Sequence, residues 1–287
     1  MIRRLRFSWT LSRLIGKQSR LTRTRAAGWR CVLLLLAVIA ASGSAMGIAQ
    51  ADAVYRTEYE ISIFGLSLAR AAIETTVKGR NYSVNGRFMT SGLARIFDDT
   101  DGTVFVTGRS VMGRAVPSSF DLAYKHGRKN KSTKIRFAGG NVIDVKNVPA
   151  IKKRAPWITV TPGDLLNVND PITALMISAD QIGSVCNRTL NVFDGQTRAD
   201  IKLAFSGTRS FTTRGFTGES VICSAGFVPL AGYQEGKKAI NYLRDKSKIS
   251  ISFASMGDSG IYGPVLATIG TQLGTLKIQA TRFEQVK

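Results

Sequence analysis

From Tyr55 onward, apolar and polar residues alternate with a period of two along most of the chain. Tyr55, Thr57, Tyr59, Ile61 and Ile63 share one side of an extended segment, with Arg56, Glu58, Glu60 and Ser62 on the other. Tyr82, Val84 and Phe88 alternate with Ser83, Asn85 and Arg87, and Thr133, Ile135 and Phe137 alternate with Lys134 and Arg136. The same rhythm recurs at Ile201, Leu203 and Phe205, at Ile249, Ile251 and Phe253, and at Leu276, Ile278 and Ala280. Strands with one dry and one wet side predict antiparallel sheet. Lys78-Gly79-Arg80-Asn81, Asp101-Gly102, Ala138-Gly139-Gly140-Asn141 and Asp194-Gly195 fall between these runs and predict hairpin turns.

Asp170-Pro171 opens a segment of different period. Asp as N-cap with Pro at the first helical position predicts a helix, with Ile172, Leu175, Met176 and Ala179 on one side and Gly183 as its stop. A shorter helix is predicted near Ser91–Phe97. The stretch from Asn147 to Asp170, with Pro149, Pro156 and Pro162, reads as the link between a larger N-terminal sheet and a C-terminal one. Long antiparallel sheets hide their edges by curling or closing. The predicted fold is therefore mainly β: a single antiparallel, open or incompletely closed spiral β-barrel with one or two short helices. An outer-membrane barrel is the rival; it calls for aromatic girdles at strand ends, and the aromatics here are not gathered there.

The first 51 residues have another character. Arg3, Arg4, Arg6, Arg13, Lys17, Arg20, Arg23, Arg25 and Arg30 precede the apolar run Cys31–Ala41, and Ala49-Gln50-Ala51 follows. Basic region, short apolar run and small-residue cleavage site predict a secretory signal peptide over 1–51, leaving a β-rich domain over 52–287. The apolar run is about half of the roughly 20 residues that a membrane span needs, so no span is expected after cleavage.

This changes the charge. The whole chain of 287 residues has 40 basic and 19 acidic residues, a net +21. Residues 1–51 hold nine of the basic residues and none of the acidic ones, so the remainder carries 31 against 19, a net +12. Outside the cytoplasm the anionic partners are lipid headgroups, lipopolysaccharide and wall polymers, not nucleic acid. The densest cationic run contains Lys125, Arg128, Lys129, Lys131, Lys134, Arg136, Lys146, Lys152, Lys153 and Arg154 against one acid, Asp144. It is the candidate anion or headgroup contact, with a simple solvated face as the plain alternative.

Three cysteines and one histidine exclude Cys/His zinc fingers and four-cysteine iron–sulfur sites, and no metal or cofactor is expected. Past residue 51 only Cys186 and Cys223 remain; in an oxidising compartment this pair predicts a disulfide. His126 sits in a polar, Gly-containing turn without an orienting acid. Gly257-Asp258-Ser259-Gly260 looks like an active-serine motif, but Ile261 departs from it and a hairpin turn explains it equally well. Asp98-Asp99-Thr100-Asp101-Gly102 is out of frame for a calcium loop. No catalytic residue is assigned. Paired carboxylates, as in a glycosidase, stay open because sequence does not show which acids share a cleft.

From Leu165 onward a family pattern emerges. Asp170-Pro171 is followed by Cys186-Asn187-Arg188, then Val192-Phe193-Asp194-Gly195-Gln196-Thr197-Arg198-Ala199-Asp200, then Cys223 and Gly232-Tyr233. This resembles an exported bacterial family catalogued as domain of unknown function 3108. It is similar in outline to periplasmic envelope-integrity proteins with a spiral β-barrel. Gln196 and Thr197 stand where the family has arginines, and Ala199 where it has tyrosine. The resemblance implies the barrel and a periplasmic address and brings no catalytic residues. The expected function is a non-catalytic binding or scaffolding role in the envelope, with a lipid or lipoprotein acyl chain held in the curled sheet. The alternative is a hydrolase of wall or lipid substrates working through paired carboxylates.

Overall fold

The computed structural model describes residues 52–92, 95 and 99–286. The predicted signal peptide, and most of the short helix predicted near Ser91–Phe97, lie outside the described residues.

Two antiparallel meanders make one sheet. The first runs through β1 (Ala53–Ile63), β2 (Leu66–Lys78), β3 (Asn81–Thr90), β4 (Thr100–Val111), β5 (Arg114–His126), β6 (Lys129–Ala138) and β7 (Asn141–Val148). After the two-residue strands β8 (Trp157–Ile158) and β9 (Ile177–Ser178), the second runs through β10 (Arg188–Phe193), β11 (Arg198–Thr213) and β12 (Phe216–Ala231). It continues past β13 (Tyr233–Gln234) and the helix α1 (Lys238–Asp245) into β14 (Ile249–Ser255), β15 (Ile261–Thr271) and β16 (Gly274–Val286). β16 then pairs with β1, from Val54 opposite Val286 to Ile63 opposite Leu276. The sheet order is therefore β10-β11-β12-β14-β15-β16-β1-β2-β3-β4-β5-β6-β7, with β9 added on β15 and a small β8–β13 sheet apart. The two sheets expected on either side of Asn147–Asp170 are one, because the first and last strands pair at its middle. Its edges, β7 and β10, come from mid-chain.

The sheet curls. Ile135 of β6, Phe193 of β10 and Phe283 of β16 belong to one buried cluster although many strands separate them. Register shifts at Glu58/Tyr59, Thr107/Gly108, Arg136/Phe137, Phe205/Gly207 and Ser252/Phe253 supply the bends. Phe205 departs from the expectation set by alternation: it is half-exposed, while Leu203, two residues before it on the same strand, is buried. Inside, Val84, Val106, Ile135 and Val265 have no exposed surface. Asp101-Gly102 is not a turn but part of β4, where Gly102 gives room to Phe88 and Tyr124. Gly108 serves Tyr82 likewise: a Cβ there would strike the phenol, whose hydroxyl hydrogen-bonds Thr173 Oγ1 at 2.9 Å.

A second cluster surrounds Cys186 and Cys223, with Ile177, Val185, Leu190, Leu203, Val221 and Phe253. The two cysteines form a disulfide with Cα atoms 5.6 Å apart. The predicted helix after Pro171 shrinks to one 3-10 turn, Thr173–Leu175, and Gly183 falls in a separate turn, Ile182–Ser184. Asp170 does cap it, its Oδ1 accepting from the Ile172 and Thr173 N–H groups at 2.9 Å each. Helix nucleation is costly in so short a piece, and pairing of Ile177 with Tyr262 and Ser178 with Ile261 claims the backbone instead. An α-helix that alternation did not reveal is α1.

Candidate functional site

The family-type motif residues converge where the rolled sheet closes. Between edges β7 and β10 lies the segment Leu165–Asp170. Val168 N–H donates to Gly140 O on the β6–β7 turn at 2.9 Å, and Asn167 N–H to Asn141 Oδ1 at 3.0 Å. On the other side Asn169 N–H donates to Asn191 O and Asn169 O accepts from Phe193 N–H, each 2.9 Å. One residue pair thus spans the gap, a parallel bridge to β10 on one flank and the β6–β7 turn on the other.

Each motif residue has a place there. Phe193 enters the core. Asp194 Oδ1 accepts from the N–H groups of Gln196 and Thr197, fixing the β10–β11 turn. Gly195 turns with φ +94°, and a Cβ would run into the Thr133 methyl. Arg198 is only 5% exposed; its guanidinium reaches Asp200 Oδ1 at 2.6 Å, Ala199 O at 2.7 Å and Asp164 O at 3.1 Å. Gly232, at φ +82°, lies so close to the Gln196 carbonyl that no side chain fits, and Tyr233 pairs with Ile158. Arg188 donates to the carbonyls of Ser178 and Ser184. Pro171, directly after Asp170, starts the 3-10 segment. The motif therefore fastens the 157–188 connection to β10–β12, and its two arginines are occupied by backbone carbonyls or the half-buried Asp200 carboxylate.

Asp170 is wholly buried. Burial pushes its carboxyl up to about 6, against the opposing effect of its hydrogen bonds from Thr173 and Ile172. Its Oδ2 has no hydrogen-bond partner. Burial also raises the Tyr82 hydroxyl, which faces the same turn.

The cationic run is split by strand parity. Lys134 and Arg136 lie on the outer side, Lys134 opposite Lys146 and Arg136 opposite Asp144. Arg136 is engaged by Asp121 at 3.0 and 3.1 Å. Lys129 and Lys131 share the parity of Ile135 and Phe137, and Lys131 stands over the Tyr124 ring at 5.6 Å. Lys125, Arg128 and Lys129 are exposed around the β5–β6 tip; Lys152, Lys153 and Arg154 are exposed just past β7. Because β5 ends, β6 begins and β7 ends on the same side, these six cations gather at one end of the rolled sheet. Sequence reasoning found them but not their grouping, and it missed Lys246 and Lys248 before β14, which lie at the same end.

Carboxylates share two clefts. A groove of about 600 Å³ crosses β16 to β4 on the outer side and contains Glu58 and Glu74. Arg282 Nη1 holds Glu58 at 2.9 Å and Arg56 holds Glu74 at 3.0 Å, so both are members of an ion-pair ladder. A cleft of about 330 Å³ at the opposite end contains Asp258 and Glu284 beside Phe216 and Phe283. Ser259 of the Gly-Asp-Ser-Gly stretch spends its hydroxyl on its own turn, donating to Met256 O at 2.7 Å. His126 is exposed and meets Thr100 Oγ1 through Nδ1 at 2.9 Å. Asp99 pairs with Arg95 at 3.2 Å. Among the described residues no His, Cys, Asp or Glu cluster could hold a metal ion, and no helix is long and apolar enough to cross a membrane.

No curated protein matches this chain in sequence. A crystal structure described as a β-barrel-like protein of domain of unknown function DUF1849, from Brucella abortus, is similar in fold. It has a TM-score of 0.52 and 11% identity, over 82% of this chain and 98% of that one. The family described as protein of unknown function, DUF3108, matches residues 58–281, the span that holds the sealing motif and nearly all of the sheet, and this chain belongs to it.

Proposed function

We propose that this chain is an exported periplasmic protein with a non-catalytic binding or scaffolding role, a stiff rolled sheet whose basic end meets anionic components of the cell envelope. One contrast carries the reading. Arg188 and Arg198 are consumed in closing the sheet, whereas Lys125, Arg128, Lys129, Lys152, Lys153 and Arg154 are exposed together. Export is supported by the basic, apolar and Ala-Gln-Ala pattern of residues 1–51. The acyl chain expected inside the curl is better placed at the surface, since the inward Val84, Val106, Ile135 and Val265 are already packed.

Fractionation of cells making the tagged chain, with binding of the purified protein to lipopolysaccharide and to phosphatidylglycerol vesicles over a salt series, tests this. The protein is expected in the periplasm and on at least one of these anions, with binding that weakens as salt rises. A cytoplasmic protein with its leader intact, or one that binds neither anion at low salt, contradicts it.

The shared cleft of Asp258 and Glu284 favours one second reading, a hydrolase of wall or lipid substrates. Asp258→Asn and Glu284→Gln would then each abolish turnover of such substrates. Turnover unchanged in both removes this reading.

A further inference from the structure

We infer that the basic end of the rolled sheet is a seat for an anionic bilayer surface, into which two neighbouring hairpin tips insert Phe64 and Leu273. This rests on the reading above and names the partner. The β1–β2 and β15–β16 turns are side by side because β1 pairs with β16. Phe64 is 77% exposed and Leu273 80%. They form one prominence: the Phe64 ring lies so close to Gly274 that a Cβ there would strike it. Leu66, also exposed, widens the patch. Phe64 has φ +51°, a conformation uncommon for a bulky residue. The chain thus places a large apolar side chain at a tip where a small polar one would fit the turn better.

Cations flank this prominence. On one side the Lys246–Lys248 loop is bound to the β15–β16 hairpin, with Ser247 Oγ donating to Gly270 O at 2.7 Å and Gly270 N–H to Lys248 O at 3.0 Å. Lys277 is exposed three residues beyond Gly274. On the other side, beyond the β3–β4 connection, come Arg128 and Lys129, then Lys152, Lys153 and Arg154. Among the acids at this end, Asp99 pairs with Arg95 and Asp245 with Arg244, Asp101 lies opposite Lys125 across the β4–β5 pair, and Glu60 lies further down β1. Apolar tips between basic wings match a bilayer with anionic headgroups, where insertion and charge attraction act together. A soluble polyanion would use the cations and leave Phe64 and Leu273 in water. The opposite end offers a comparison: Met112 is 94% exposed on a lone tip.

The test uses residues 52–287, which contain the whole sheet and both buried clusters, so that the apolar leader does not itself bind lipid. Co-sedimentation is measured with vesicles of equal parts phosphatidylglycerol and phosphatidylcholine, and with phosphatidylcholine alone. The parent is expected on the mixed vesicles only. The Phe64→Ser, Leu273→Ser double variant is expected to bind at least about tenfold more weakly, with unchanged circular dichroism, and Met112→Ser to bind as the parent does. A double variant that binds the mixed vesicles as tightly as the parent overturns the inference and leaves the electrostatic reading standing. So does a parent that binds lipopolysaccharide and ignores vesicles.

Discussion

The Asn147 side-chain amide donates to the Gly195 carbonyl at 2.9 Å, joining β7, one edge of the sheet, to the turn that follows β10, the other edge. Thr133 on β6 orients that amide by donating to Asn147 Oδ1 at 2.7 Å. The curl therefore has a seam, and the seam is built from residues of the family motif and their neighbours.

Gly195 and Gly232 sit on this seam with different obstacles. A methyl at Gly195 meets the end of one side chain, so Gly195→Ala is expected to cost about 1–3 kcal/mol, with part recovered when Thr133→Ser removes that methyl. At Gly232 the obstacle is the Gln196 backbone, so Gly232→Ala should cost more and no side-chain change should rescue it. Urea denaturation of Gly195→Ala, Thr133→Ser, their double variant and Gly232→Ala checks this. Equal losses at the two glycines would contradict it.

Arg198 bonds a carboxylate and two carbonyls while almost fully buried. Truncation leaves Asp200 uncompensated, and Arg198→Ala is expected to lose about 3–5 kcal/mol. Arg198→Lys keeps the charge but not the fork, and should fall between. Chemical denaturation of both variants measures it; a loss below about 1 kcal/mol for the alanine variant would show that the pair does not hold the connection.

Asp170 gives a pH dependence of defined sign. Its carboxyl is raised to about 6 in the folded chain, above an unfolded value of about 3.9. Between these values the folded state binds more protons, so this group's contribution to stability is complete below pH ~4 and is lost as pH rises through 6. Asp170→Asn keeps an oxygen for the Ile172 and Thr173 N–H groups and should flatten that slope. The difference in urea midpoint between pH 4.5 and 7.5, parent against variant, reports it; identical slopes would contradict the assignment.

The disulfide closes a loop of 37 positions around the second cluster. Replacing Cys186 and Cys223 together by alanine is expected to cost about 3–4 kcal/mol, read as a shift in the urea midpoint. A shift below about 1 kcal/mol would show that Val185, Leu190 and Val221 hold the segment without it.

Period two was legible in single residues because burial on one side of a strand is a local property: Tyr55, Val84, Ile135 and Phe253 all face inward as their spacing predicts. Bulges were not. One extra residue at Ser206 shifts the β11–β12 register, and nothing in the local composition marks it. Helix α1 offered only Ile240 and Leu243 as an apolar pair, too little to stand out beside longer strand patterns. The segment after Pro171 had the right cap, and strand pairing by Ile177 and Ser178 overrode it. The motif was recognisable as a string, but its role depends on contacts such as Val168 with Gly140 and Asn147 with Gly195, which join positions far apart in the chain. The basic run was legible as a candidate anion contact, but not its arrangement: the pleat divides it, and chain direction regroups part of it at one end.

Amide hydrogen exchange at Val168, Asn169 and Phe193 tests most directly whether the mid-chain connection seals a single sheet. Their N–H groups donate to Gly140, Asn191 and Asn169 carbonyls, each at 2.9 Å. The expected result is protection of all three close to that of Val84 and Val265 in the central strands. Exchange of Val168 and Asn169 at the rate of an exposed loop, while the central strands stay protected, would mean that β7 and β10 are not joined and that the motif does not close the fold.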